Sequence, residues 1–247
     1  LRKDESSAPD MASLCPDVII VAAYGLLLPA RILNLPQLGC LNIHPSLLPK
    51  YRGPAPVVQT ILNGDTVGGC TLMKLDAGMD AGPLLAQQET PIGLEETNES
   101  LTARLFEIGA LLLVEALPQW ESGKLKALPQ DKTLVSVTNK LVREHGEIVW
   151  TMSAAYIARQ IRAYYPWPGT FTHWRGGTLK IIEAAAIRSK IEASLSQGEV
   201  AILPEGSLGI GTGDGVLAIK LLQLAGRNVV SGEDFARGHQ GFVGSIL

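Results

Sequence analysis

The chain has 247 residues, a formal net charge of −3 and 46% hydrophobic residues. That length and apolar share support a sizeable core in one large or two small domains, and 18% charge is low for a disordered chain. A net negative charge excludes a uniformly basic nucleic-acid binder. Residues 1–133 carry 10 Lys+Arg against 15 Asp+Glu and residues 134–247 carry 11 against 9, which points any anionic partner to the second part. Cys15, Cys40 and Cys70 are widely spaced without a CxxC pattern, as expected of reduced thiols in a reducing compartment.

The first residue is Leu1, and the charged stretch RKDESSAPD after it is no signal peptide and reads as loose chain or the tail of a helix. The apolar run Val18 to Leu28 is too short to span a bilayer. Asp17 to Gly25 is predicted as a buried parallel strand covered on both faces, and Leu28 to Leu38 as a short helix or turn. Cys40 to His44 is the next strand, Pro54 to Leu62 a helix, and Gly69 to Leu75 a third strand. Thr97 or Asn98 caps a helix with Leu101, Leu105, Ile108, Leu112 and Ala116 on one face, ended by Pro118. Strands alternating with helices predict an α/β sheet. LKALPQDKT then reads as a linker. Ser153 caps a further helix with Ile157 and Ile161 on one side. Short strands punctuated by glycine turns follow over Thr170 to Trp174, Leu179 to Glu183, Gly198 to Leu203, Ser207 to Ile210 and Val216 to Leu222, a spacing that suggests a small β-barrel.

The chemistry concentrates between Gly39 and Pro83. Asn42 and His44 lie two apart on a predicted strand and share one face, near a strand end where α/β sheets place ligands. Asn42 offers an amide donor for a developing oxyanion and His44 a group that titrates near neutrality. Asp80 sits in the glycine-rich turn DAGMDAGP, where a carboxylate beside the imidazole would orient it and raise its pKa. Asp76 and Asp80 also fit plain Asx turns. The loop lacks the remaining ligands of a calcium site, so no metal is expected. On these residues alone the chain is an α/β enzyme of open reaction class.

The words LNIHPSLLPKYRGPAP and LDAGMDAGP resemble the folate-dependent formyltransferase family. That resemblance implies a catalytic set of Asn42, His44 and Asp80. It also implies a folate pocket of Tyr24, Gly25 and Leu26 (from AYGLLLP), Ser46, Leu47, Leu48 and Pro49, with Asp76. The implied reaction transfers formyl from 10-formyltetrahydrofolate, a co-substrate, to an amine. Asn42 and a protonated His44 would hold the oxyanion while Asp80 keeps His44 charged.

AAYIARQIRAYYPWPGTFT, NKLVREHGEIVW and GEDFARGHQG resemble the carboxy-terminal region of the family's tRNA-acting branch. They imply the α-amine of methionyl initiator tRNA as acceptor, in translation initiation. Arg52, Lys140, Arg143, Arg159 and Arg162 are then expected to contact tRNA. Two alternatives stay open: a small-amine acceptor such as an amino sugar or glycinamide ribonucleotide, and a non-catalytic folate- or RNA-binding chain. The family's opening strand–helix units have no counterpart here, so a truncated chain is expected. The implied fold is a partly parallel, Rossmann-like α/β sheet, N-terminally truncated, followed by an OB-like β-barrel. The expected domains are a catalytic one over 1–123, a linker over 124–135 and a tRNA-binding one over 136–247. A cytoplasmic chain is expected, monomeric in its complete form.

Overall fold

The computed structural model describes residues 11–187 and 195–247, which fall into two units. Residues 1–10, expected to be loose chain or the tail of a helix, lie outside the described residues. The first unit comprises Leu1–Thr60, Asp65–Leu94 and Ser100–Lys140; the second comprises Ile61–Gly64, Glu95–Glu99 and Leu141–Leu247.

The sheet of the first unit runs in the order β1 (Ile19–Ala22), β2 (Cys40–His44), β3 (Val67–Lys74) and β4 (Leu84–Pro91). Only β1 and β2 are parallel; β2–β3 and β3–β4 are antiparallel. All five residues of β2 are buried, as an apolar run at a sheet centre requires. β1 is shorter than expected and alternates between half-buried and exposed, with Ile20 at 38%. It lies at the end of the strand order, so the expectation of cover on both faces fails there. β4 was not expected, because Gln87, Gln88 and Glu89 hide the apolar signal of this exposed edge strand.

Between β1 and β2 lies the short α1 (Ala30–Leu33), and between β2 and β3 lies α2 (Pro56–Asn63). Alternation along β2 separates packing from chemistry. Leu41 and Ile43 face Cys70, Leu72 and the apolar side of α3 (Asn98–Glu121), whereas Asn42 and His44 point the other way. Gly109 permits this close helix–sheet approach: a Cβ there would lie 2.4 Å from Ile43 Cγ2 and 2.7 Å from Cys70 Sγ. α3 continues through Pro118 instead of ending there. A proline donates no N–H to the carbonyl four residues earlier, here that of Val114, a residue 70% exposed on the helix surface. Trp120 Nε1 then donates to the Leu38 carbonyl at 2.9 Å, fixing the end of the helix.

Part of the predicted linker is built into this unit. Leu128 and Leu84 exchange backbone hydrogen bonds at 2.8 Å, and beyond it Ser136 and Thr138 bond to the backbone of Pro49 and Arg52. The short 3-10 turn Lys132–Leu134 lies between these contacts. The first unit accordingly extends to Lys140.

In the second unit α4 (Ala154–Ala163) begins at the Ser153 cap, whose Oγ accepts from Tyr156 N at 3.2 Å. An antiparallel sheet follows in the order β5 (Thr170–Trp174), β6 (Gly177–Ile187), β9 (Val216–Leu224), β8 (Leu208–Gly211), β7 (Val200–Ile202), with β10 (Val230–Ser231) on β9. The strands fall where the glycine turns placed them. The β6–β9 pairing shifts register on both sides of Glu183, which curls the sheet. One core gathers Ile157 and Ile161 from α4, Leu179, Ile181, Leu217 and Leu222 from the strands, and Phe235 from α5 (Gly232–Gly238). Among the described residues, no helix is long and apolar enough to cross a membrane.

Candidate active site

The site grows from the end of β2. Asn42 and His44 are 9% and 4% exposed and stand opposite Met73 and Thr71 of β3. Among the described residues the Asn42 carboxamide has no hydrogen-bond partner, so its donor is uncommitted. The chain then turns through Pro45 to Tyr51, and Thr71 pins that turn. Its hydroxyl donates to the Ser46 carbonyl at 2.6 Å and accepts from Leu48 N at 3.1 Å. Gln87 Nε2 adds a bond to the Leu48 carbonyl at 2.8 Å. The Ser46 hydroxyl is committed to the Lys50 carbonyl at 2.7 Å.

Two loop backbones meet the pair. His44 Nε2 lies 2.9 Å from the Tyr51 carbonyl, which can only accept, so the proton of the neutral ring sits on Nε2. Nδ1 then faces Asp80 Oδ2 at 3.8 Å, beyond direct hydrogen-bond range. That same Asp80 oxygen accepts from Gly53 N at 2.8 Å. A Cβ at Gly53 would lie 2.8 Å from the Thr138 carbonyl, so the loop closes only with glycine here. Tyr51 and Asp80 both hold positive φ, +62° and +47°. Each such residue costs about 1–3 kcal/mol and persists only where neighbours hold it.

Burial lowers the His44 pKa, outweighing the Asp80 carboxylate and the Tyr51 carbonyl, which raise it. Burial thus opposes the charged imidazole expected above, and Asp80 offsets that desolvation only in part. Burial also raises the thiols, Cys70 to about 12 and Cys40 upward from its ordinary value, so neither is a nucleophile.

The remaining predicted residues divide. Leu48 is buried within the turn, while Leu47 and Pro49 are half-buried. Tyr24 is half-buried, and Gly25 and Leu26 are exposed, Leu26 at 61%. Asp76 makes a plain Asx turn, accepting from Gly78 N at 2.8 Å. Arg52 gives Nε and Nη2 to Gln130 Oε1, at 3.0 and 2.8 Å. In the second unit Arg159 donates to the Leu62 carbonyl and Arg162 to that of Glu96, both at 2.9 Å. Burial lowers the Arg162 pKa. Lys140 and Arg143 are exposed. Sequence reasoning missed Gln130, Ser136 and Thr138, whose only signal was polar residues in a supposed linker. Among the described residues no group of three or more His, Cys, Asp or Glu could hold a metal ion.

The Formyl transferase family profile matches residues 2–117, and the Formyl transferase, C-terminal domain profile matches 140–240. The chain is 46% identical to a methionyl-tRNA formyltransferase of Roseiflexus castenholzii over 236 residues, 96% of this chain and 75% of the relative. It is 41% identical over its whole length to one of Dehalococcoides mccartyi, covering 78% of that protein. Among solved structures, HypX from Aquifex aeolicus in complex with tetrahydrofolic acid superposes with a TM-score of 0.69 at 22% identity, over 97% of this chain and 43% of HypX. WlaRD, a sugar 3N-formyl transferase, gives 0.64 at 20% identity, over 88% and 77%. At those identities the two structures establish a shared fold.

Proposed function

The chain belongs to the formyl transferase family, and from that premise we propose that it transfers the formyl group of 10-formyltetrahydrofolate to the α-amine of methionyl initiator tRNA. The named relatives, alike over nearly the whole chain, support this acceptor. One geometric observation supports the chemistry. His44 Nδ1 and Asp80 Oδ2, both acceptors, face each other 3.8 Å apart. Two acceptors so placed attract an N–H donor or a proton, and an amine nucleophile brings both. Beside them the uncommitted Asn42 carboxamide can donate to a carbonyl oxygen that gains negative charge.

The folate co-substrate supplies an activated formyl carbon on nitrogen. The residues here fit such a donor, since reaction at it needs one hydrogen-bond donor for the oxygen and one acceptor for the amine proton. As the amine attacks, Asn42 donates to the formyl oxygen. His44 Nδ1 receives the proton that the amine loses, and the Asp80 carboxylate stabilises the imidazolium formed. That proton then leaves with the folate nitrogen, which keeps atoms and charge balanced. The turn Ser46–Pro49, with Tyr24, Gly25, Leu26 and Asp76, lines the folate side. The curled sheet of the second unit is read as OB-like. The exposed Lys140 and Arg143 meet tRNA phosphate, while Arg159 and Arg162, each bonded to a carbonyl, contribute mainly packing. A cytoplasmic reaction is part of this reading.

The test is single-turnover formylation with charged initiator tRNA, a nucleotide-linked amino sugar and glycinamide ribonucleotide offered separately. Formyl-methionyl-tRNA formed at least a hundredfold faster than the other products is the expected result. Faster formylation of either small amine would overturn the acceptor, and no product with any acceptor from a folded chain would overturn the reaction.

A further inference from the structure

We propose that Arg52 and Gln130 form a clamp that sets the separation of His44 and Asp80, making both positioning residues of the formyl transfer. The proposal rests on the reading of the site given above. The two contacts that orient the pair come from the residues on either side of Arg52. Tyr51 offers the carbonyl that receives His44 Nε2–H, and Gly53 offers the N–H that Asp80 accepts. Any shift of Arg52 along the loop therefore moves both partners together.

Gln130 ties that loop to the one carrying Asp80. Its Oε1 accepts both Arg52 bonds, at 3.0 and 2.8 Å. Its Nε2 donates to the Asp80 carbonyl at 2.8 Å and to the Gly82 carbonyl at 2.7 Å. The side chain is 8% exposed and every polar atom on it is engaged. Only a carboxamide can do this, since one end must accept from a guanidinium while the other donates to two carbonyls. A carboxylate would lack the donors and a hydrocarbon would lack both.

The loops need such holding. Tyr51 and Asp80 sit in the left-handed region, which residues with a Cβ leave unless neighbours retain them. Arg52 is held at the backbone as well, with its N–H on the Ser136 carbonyl at 2.9 Å and its carbonyl accepting from Thr138 N at 2.7 Å. The Tyr51 N–H goes to Ser136 Oγ at 2.8 Å, and its phenol to Asp65 at 2.7 Å. The Arg52 guanidinium thus faces Gln130 within the first unit, an arrangement that serves geometry and not a phosphate contact.

The clamp is tested on the full chain with Gln130→Ala, Gln130→Glu and Arg52→Lys. Arg52→Lys keeps the charge a phosphate would feel but loses the two-donor fork. A small misplacement of reacting groups can cost on the order of 10²-fold, so kcat should fall roughly 10- to 100-fold in each variant, with KM for tRNA within about threefold. A circular-dichroism melt identifies variants that fold, and the near-isosteric Gln130→Glu decides the matter should Gln130→Ala unfold. Ring 15N spectra of His44 give a readout independent of substrate: one Nε2–H tautomer in the unsubstituted chain, a mixture in the folded variants. That measurement separates failure of the clamp from failure of the proposed reaction, which would show as an inactive unsubstituted chain. Unchanged kcat and tautomer in a folded variant would overturn the clamp. So would a raised KM for tRNA with kcat intact, which would make Arg52 a tRNA contact.

Discussion

Around Trp174 the second unit is held by rings. Phe235 and Phe242 meet Trp174 edge-on at 5.8 and 5.1 Å, and His239 stacks on Phe235 at 3.9 Å. Around Asp80 the first unit is held by backbone donors and acceptors, with Gly53 N, the Tyr51 carbonyl and one glutamine linking two loops. The contrast teaches where each region is vulnerable. An apolar core spreads its stabilisation over many weak contacts and yields in proportion to the volume removed. A buried polar lattice gives each donor a specific partner, so the loss of one group leaves others unsatisfied and displaces the atoms that react.

The sharpest break of that comparison is at Asp80. Asp80→Ala should lower turnover by roughly 10²–10⁴-fold, the scale of lost acid–base catalysis, while the second unit keeps its near-ultraviolet circular dichroism. Turnover within threefold of the unsubstituted chain would remove Asp80 from the chemistry. Phe235→Ala should do the opposite, costing about 3–5 kcal/mol of stability in a denaturant melt while leaving His44 and Asp80 in place. Gly109→Ala probes where packing meets the site. Alanine gains up to about 1 kcal/mol of helix propensity, but the clash with Ile43 and Cys70 should reverse this into a net loss of about 1–3 kcal/mol. A stabilised Gly109→Ala chain would mean that α3 does not approach β2 closely. The smallest effect expected is Ser153→Ala, a loss of about 1 kcal/mol from the cap of α4, also read in a denaturant melt.

The same contrast decides how much could be read from the sequence. Strands β5 to β9 were legible because alternating apolar residues and glycine turns report packing directly, and α4 because Ser153 precedes a clean apolar stripe. The placing of Asn42 and His44 on one face of a strand, with Asp80 in a glycine-rich turn, was legible from local pattern. The continuation of α3 past Pro118 was not, because locally a proline reads as a helix stop. β4 was not, because an edge strand shows polar residues. The lattice was the least legible part. Gln130, Ser136 and Thr138 act across more than 45 residues of chain on Asp80 and Arg52, and no periodicity reports a side chain that bonds to a distant backbone. The burial that lowers the His44 pKa escaped for a related reason: a neighbouring Asp is visible in the sequence, whereas burial is not.

The most direct measurement is the single-turnover formylation rate against pH for the unsubstituted chain and for Asp80→Asn. The titration of the substrate amine is common to both and cancels in their ratio. On the proposed mechanism a neutral His44 is the working form; burial lowers its pKa, and Asp80 holds that pKa higher than burial alone would. Removing the charge lowers it further, so the unsubstituted chain meets its acid limb first. At high pH, once the substrate amine is neutral, the rate of both chains should therefore hold level, while the ratio of unsubstituted to Asp80→Asn chain falls along the acid limb. A rate that instead declines at high pH in both chains would show that charged His44 is the working form and would contradict the account.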